Sequence, residues 1–326
     1  MRLLKEKNVK KYDVIIIGAG SVGTPTTYFL AKAGLKVLCL EKFASPGQGQ
    51  NKAAIGGVRA THSDPAKIRI CQKSLEIFSS WQNTTGTDIG WKKGGYCFPV
   101  YREREEKILK GLLPIQKKYN LNIDWVDASK IKELVPGINP NGLLGGTFSP
   151  DDGQVSPLKA INSFAHEAQK LGAEFSFHSE VKEFCIKDNK IESAKTDKEE
   201  FFAKLFINAA GAEAGDIGKL LGLEIPVLPD SHEAGISAPL KPFLDPLVVD
   251  LRPGDEGKTS NFYFGQNSEG QIIFCYTPLP IIPGTNREST SEFMPIIAKR
   301  LVELIPRLKN LMIRRIWRGL YPMTPD

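Results

Sequence analysis

The apolar positions change rhythm several times along the chain. Tyr12–Ile17 is a short apolar run with β-branched Val and Ile, the pattern of a strand buried on both faces. Thr26–Ala33 continues as a helix that Gly34 is placed to end, and Lys36–Leu40 is a second apolar strand. Together they predict a strand–helix–strand unit. Pro25 lies past the expected first helical position and should cost one helix hydrogen bond. Asp64–Trp81 reads as a helix, with Asp64 as N-cap, Pro65 at its start and an apolar stripe through Ile68, Cys71, Leu75 and Phe78.

Strands are expected at Trp91–Val100, Leu121–Val126 and Leu143–Phe148. Between them lie a charged helix, Glu103–Tyr119, and a short one, Ser129–Val135, capped by Ser129. Asp151–Pro157 reads as a turn whose aspartates satisfy local backbone groups, and it opens the helix Leu158–Leu171. Strands Ala173–Phe177 and Val181–Lys187 follow, then a hairpin of Ile191–Lys195 and Phe201–Leu205. From Glu224 to Tyr276 short alternating strands separated by Pro/Gly turns predict a mostly antiparallel sheet. Glu292–Leu304 is an amphipathic helix and Ile313–Arg318 a last strand. The fold class expected is α/β, α+β overall.

Composition narrows the possibilities. A chain of 326 residues, 41% hydrophobic and 25% charged, is globular and long enough for two domains. The net charge of +6 is spread out. The run Lys5–Lys11 reads as a solvated arm, not a nucleic-acid site. No stretch is long enough to span a membrane or act as a signal segment. Five scattered cysteines without metal-ligand spacing indicate reduced thiols, a cytoplasmic protein and no metal site.

The candidate chemistry begins at Gly18-Ala19-Gly20-Ser21-Val22-Gly23, a G-x-G-x-x-G between the first strand and its helix. Gly18 permits the tight turn, Gly20 lets the backbone approach a pyrophosphate, and Gly23 lets the helix pack close. Helix N–H groups can hold phosphate charge, and Glu41 at the second strand's end can accept from ribose hydroxyls. These features predict dinucleotide binding. Gly56-Gly57-Val58-Arg59, with His62 just beyond, and Asn208–Ala212 are two further places where small residues would let backbone lie against a flat ligand.

These motifs, with DDGQVSP (Asp151–Pro157) and RIWRGLYPMTPD (Arg315–Asp326), make the whole chain resemble the D-amino-acid-oxidase-like flavoprotein superfamily. Within it the likeness is to the branch of sarcosine oxidase β-subunits and dye-linked L-proline dehydrogenase β-subunits. The resemblance implies a Rossmann-like FAD-binding domain (1–90, 151–222 and a return at 319–326) interleaved with a substrate domain (91–150 and 223–318). It implies FAD held by Gly18, Ala19, Gly20, Ser21, Val22, Gly23, Glu41 and Lys42. Gln48, Gly49 and Gln50 would border the isoalloxazine, with Val181 beside the adenine and Ala209, Ala210 and Gly211 near the phosphates.

The implied reaction oxidises the C–N bond of a small amino acid or secondary amine of the proline or sarcosine kind, by hydride transfer to flavin N5. Arg59 is the first candidate to clamp the substrate carboxylate and Arg318 the second, because a guanidinium fork matches two oxygens. His62, Tyr263 and Tyr321 are candidates for the pocket wall, whereas His166, His178 and His232 read as structural. Three departures from the pattern qualify the resemblance. The chain stops at Thr324-Pro325-Asp326, where relatives continue, so the rest of the FAD domain is expected to be missing or supplied by a partner subunit. The strand Gln271–Cys275 lacks the lysine that monomeric sarcosine oxidases use towards oxygen, which favours a dehydrogenase passing electrons to another acceptor. Gly319 stands where those enzymes carry a cysteine, so FAD should be noncovalent. The alternatives are a direct oxidase of glycine or D-amino-acid type and a non-catalytic dinucleotide-binding fragment.

Overall fold

A computed structural model describes residues 10–325, so most of the Lys5–Lys11 run lies outside the described residues. The chain forms two compact units, each built from separated segments. The first comprises residues 10–52, 157–229 and 321–325 of those described; the second comprises residues 53–156 and 230–320.

In the first unit, β1 (Lys11–Ile17) leads through a glycine turn into α1 (Gly23–Lys32) and back to β2 (Val37–Leu40). The six-stranded sheet runs Glu174–Ser176, β2, β1, Glu200–Asn208, Lys190–Lys195, Glu183–Lys187. The first four are parallel, and the last two add an antiparallel edge. β1 sits between β2, which follows it directly, and Glu200–Asn208, which arrives much later. That order makes a topological switch point at the C-terminal end of β1, where open α/β sheets bind ligands. Both faces of β1 are buried. Val14 and Ile16 face a cluster with Cys39 and Ala168, and Ile15 and Ile17 face one with Leu38, Leu40, Val181 and Phe184.

The helix α1 starts earlier than its apolar pattern suggests. Pro25 therefore lies in the first turn; Thr24 N donates to Gly20 O and Thr26 N to Val22 O on either side of it, so the one i→i−4 bond lost is that to Ser21 O.

The second unit holds an eight-stranded sheet in the order Ile313–Met323, Leu228–Pro239, Gln271–Pro278, Thr259–Gln266, Leu247–Asp250, Tyr96–Val100, Gly145–Ser149, Asp124–Asp127. From Leu228–Pro239 to Asp124–Asp127 the pairings are antiparallel apart from Leu247–Asp250 with Tyr96–Val100. One face packs Phe262, Phe264, Phe274 and Tyr276 against Phe293, Ile297, Leu301 and Leu304 of the helix Phe293–Leu304. The other face carries Tyr96, Phe98, Val100 and Leu247, with Tyr263 beside them. A two-stranded ribbon pairs Gly57–Val58 with Gly153–Gln154.

Several local expectations change. Asp127, not Ser129, caps the short helix Ala128–Leu134 by accepting from Lys130 N at 2.8 Å. Asp152 does not serve a local turn: its Oδ1 accepts from Ala60 N at 2.9 Å, far away in sequence. The last strand continues past Arg318 to Met323. Residues 53–90, placed by sequence in the first domain, pack with the second unit. The helix Pro65–Thr85 there is tied by Gln72 Nε2 to Tyr119 O at 2.7 Å and by Phe78 stacked on Trp91.

Candidate functional site

The first unit has a crevice of about 400 Å³ at the C-terminal end of β1. Gly18, at φ +103°, makes a turn in which a Cβ would lie 2.6 Å from Ala209 O. A Cβ on Gly23 would lie 1.8 Å from Gly18 O, so α1 can start this close only with glycine there. Gly20 differs: it lines the crevice, and a Cβ there would meet no protein atom within 4 Å. Its missing side chain leaves ligand space and relieves no crowding.

Glu41 is buried at the end of β2. One carboxylate oxygen accepts from Ala19 N at 2.8 Å and the other from Phe43 N at 2.9 Å. The acid thus staples the glycine turn, and each oxygen keeps a lone pair for a ligand hydroxyl. Ser179 N donates to Glu41 O at 2.8 Å, bringing Val181 to the crevice wall. The following loop is anchored by Gly47 N to Ala19 O and by Asn51 Nδ2 to Pro157 O.

Of the residues expected here, Gly18, Gly20, Ser21 and Val22 line the crevice, as do Glu41, Lys42, Gly49 and Gln50. Val181, Ala209, Ala210 and Gly211 also do. Ala19 and Gly23 support it from behind through the contacts just given, and Gln48 is half-buried without lining it. The structure adds Phe43, Ser179, Glu213 and Ile217, which no motif marks. Lys42 Nζ meets Glu213 Oε1 at 2.9 Å. A crevice with glycine backbone on one side, a buried acid at its end and an open Gly20 fits a dinucleotide.

The substrate candidates of the second unit divide between the two faces of its sheet. Arg59 follows the ribbon strand Gly57–Val58 and lies over Phe98, 6.0 Å from the ring centroid, on the face that carries Tyr263. Its Nη1 donates to the Thr61 carbonyl and to Thr61 Oγ1, leaving Nε and Nη2 without a partner among the described residues. Gln154 pairs with Gly57 across the ribbon, is 6% exposed, and its Nε2 has no partner among the described residues. Strand periodicity puts Arg59 and Gln154 on one face of that ribbon. His62 is pushed down to about 4 by burial and by the Arg59 and Lys67 charges, so it is a neutral imidazole at neutral pH. Asp152, 1% exposed, is raised to about 6 by burial, against the pull of the Ala60 N–H and the Arg59 charge.

Arg318 lies on the opposite, helix-covered face, two residues after the core residue Ile316. It is 8% exposed, and its Nη2 is 3.8 Å from Glu233 Oε2. Glu233 also accepts from Thr290 N and Oγ1. Tyr321 is 45% exposed in the first unit, next to Pro322 of the crevice. Among the described residues, no group of three or more His, Cys, Asp or Glu could hold a metal.

The parallel sheet, its switch-point crevice and the glycine turn stapled by an acid define a dinucleotide-dependent α/β protein. A model of the FAD dependent oxidoreductase (DAO) family matches residues 13–326, and the chain belongs to that family, whose cofactor is FAD. It is similar to human mitochondrial dimethylglycine dehydrogenase, 24% identical over 345 residues, covering 96% of this chain and 38% of that protein. It therefore spans well under half the length of that relative. It is also similar to sarcosine oxidase subunit beta of Rhodobacter capsulatus, 21% identical over 97% of this chain and 76% of that protein. Among solved structures, L-proline dehydrogenase from P. horikoshii superposes with a TM-score of 0.91 at 31% identity, covering 98% of this chain and 83% of that one.

Proposed function

We propose that this chain oxidises the C–N bond of a small amino acid or secondary amine to an imine, which water then hydrolyses. In this reading the first unit holds the adenosine diphosphate half of FAD in the β1 crevice, and the second unit recognises the substrate. FAD, bound noncovalently, supplies the hydride acceptor. Glu41 receives the ribose hydroxyls, and the backbone at Gly20 takes the diphosphate.

The observation that carries the substrate reading is the pair of unused donors on one ribbon face: Arg59 Nε/Nη2 and buried Gln154 Nε2. The buried Gln154 donor is costly without a partner, Arg59 is part-exposed, and a carboxylate would satisfy both side chains. Arg59 is the clamp in this account. Arg318, on the helix-covered face beside Glu233, is a structural cation. Neutral His62 adds no second positive charge beside the clamp, and with Tyr263 it belongs to the wall. The names of the similar proteins, which speak of dimethylglycine, sarcosine and L-proline, support a small amino-acid substrate.

The strand Gln271–Pro278 carries no lysine, which supports an acceptor other than oxygen, reached directly or through a partner subunit. No helix among the described residues is long and apolar enough to cross a membrane, and all five cysteines are unbridged; we place the protein in the cytoplasm.

The test is an anaerobic titration of the FAD-loaded chain with sarcosine, dimethylglycine, L-proline and glycine. Bleaching of the flavin absorbance by one of them is expected. Arg59→Ala should weaken binding of that substrate by about 2–5 kcal/mol, the scale of removing one partner of a buried charge pair. Unchanged substrate affinity in Arg59→Ala would remove the clamp assignment.

A further inference from the structure

Lys42 and Glu213 come from the two sides of β1. Lys42 follows β2, and Glu213 closes the short turn Gly211–Glu213 after the strand Glu200–Asn208. In the sheet β1 lies between those two strands. A bond between the two side chains must therefore cross above the end of β1, where the Gly18–Gly23 turn lies. That bond exists, with Lys42 Nζ 2.9 Å from Glu213 Oε1. Both residues line the crevice, and their side chains are 32% and 33% exposed, which puts the bridge at its outer rim and not on its floor. Lys42 Nζ also lies 5.2 Å from the Phe43 ring centroid, and the Phe43 N–H is held by Glu41. The Lys42 ammonium is thus held between Glu213 and the Phe43 ring.

We propose that the Lys42–Glu213 pair is a strap over the adenosine diphosphate half of FAD. Glu213 is a positioning residue: it holds the Lys42 ammonium across the crevice. The pair opens to admit the cofactor and closes outside it, so it governs how long FAD stays. The strap rests on the crevice being the FAD site, and goes beyond that assignment by giving Glu213 a role and FAD retention a salt dependence. A partly exposed pair is screened by salt and modest in strength.

The experiment follows FAD release from the loaded chain after dilution, by the rise in free-flavin fluorescence, at low and high KCl. Lys42→Gln and Glu213→Gln should each speed release about two- to fivefold at low salt, the range exposed ion pairs give. The double neutral variant should release no faster than the faster single one. The charge swap, Lys42→Glu with Glu213→Lys, should restore slow release. KCl should speed release from the wild type and leave the double neutral variant unmoved. Wild-type release and salt dependence in Glu213→Gln would overturn the strap. Slower release in that variant would also overturn it, because the pair would then compete with the cofactor. A wild-type chain that takes up no FAD would overturn both the strap and the crevice assignment beneath it.

Discussion

Gly20 and Gly23 belong to one motif, yet the structure gives them different work. Gly23 has no room for a methyl group, which would sit 1.8 Å from Gly18 O, whereas Gly20 faces open crevice. Gly23→Ala should lose about 1–3 kcal/mol of stability or more, as overpacking does. Gly20→Ala should keep the urea midpoint and lose about tenfold or more in FAD affinity, equivalent to about 1.4 kcal/mol or more. Equal loss of stability in both would contradict this division. His62 and Asp152 give a second residue-scale prediction. Between about pH 4 and 6.5 the unfolded chain protonates His62 and the folded chain does not, so this group costs stability as pH falls. Between 3.8 and about 6 the folded chain protonates Asp152 and the unfolded chain does not, so this group costs stability as pH rises. The two slopes oppose each other. Urea unfolding at pH 4.5–5.5, roughly the centre of both windows, should show a stronger rise of stability with pH in Asp152→Asn. In His62→Asn the slope should shift the other way, and slopes unchanged in both would contradict the assignment. At this scale the positions of the glycine turn and of Glu41 were legible because one strand–helix–strand unit fixes both. Asp152, Gln154 and Glu213 were not, because their partners are remote: Ala60, Gly57 and Lys42.

Among the elements, caps and periodicity located most helices and strands, and side-chain competition for free backbone groups set the remaining ends. Asp64 caps the helix Pro65–Thr85 by accepting from Lys67 N at 2.8 Å. Asp64→Ala should therefore cost about 1 kcal/mol, read as a lower urea midpoint with unchanged m-value. No change would mean the helix start is held by packing alone. The short helix at Ala128–Leu134 shows how a plausible cap misleads. Asp127 stands just before Ser129, has the extended backbone a cap needs and takes the Lys130 N–H. In the last strand, Arg318 broke the apolar pattern and made the strand look finished, but it is buried beside Glu233 and the strand continues. Arg318→Met should change stability while leaving substrate affinity as it was; the reverse, a weaker substrate with stability intact, would reinstate it as a clamp.

For the whole molecule, the antiparallel texture after Glu224 and the nucleotide-binding start were readable in advance. The division of residues 53–90 was not, because it depends on contacts with segments far along the chain. Membership of the FAD dependent oxidoreductase family bears out the resemblance carried by the glycine turn and the later motifs. The amine substrate remains the central claim, and it concerns one chain taking up one flavin and one small carboxylate. The measurement that tests it most directly is the anaerobic visible spectrum of the FAD-loaded chain during titration with sarcosine, dimethylglycine, L-proline and glycine. The account predicts loss of the flavin absorbance with at least one of them, and a much weaker response to that same compound in Arg59→Ala. A flavin spectrum that none of the four bleaches, in a chain that binds FAD stably, would contradict it.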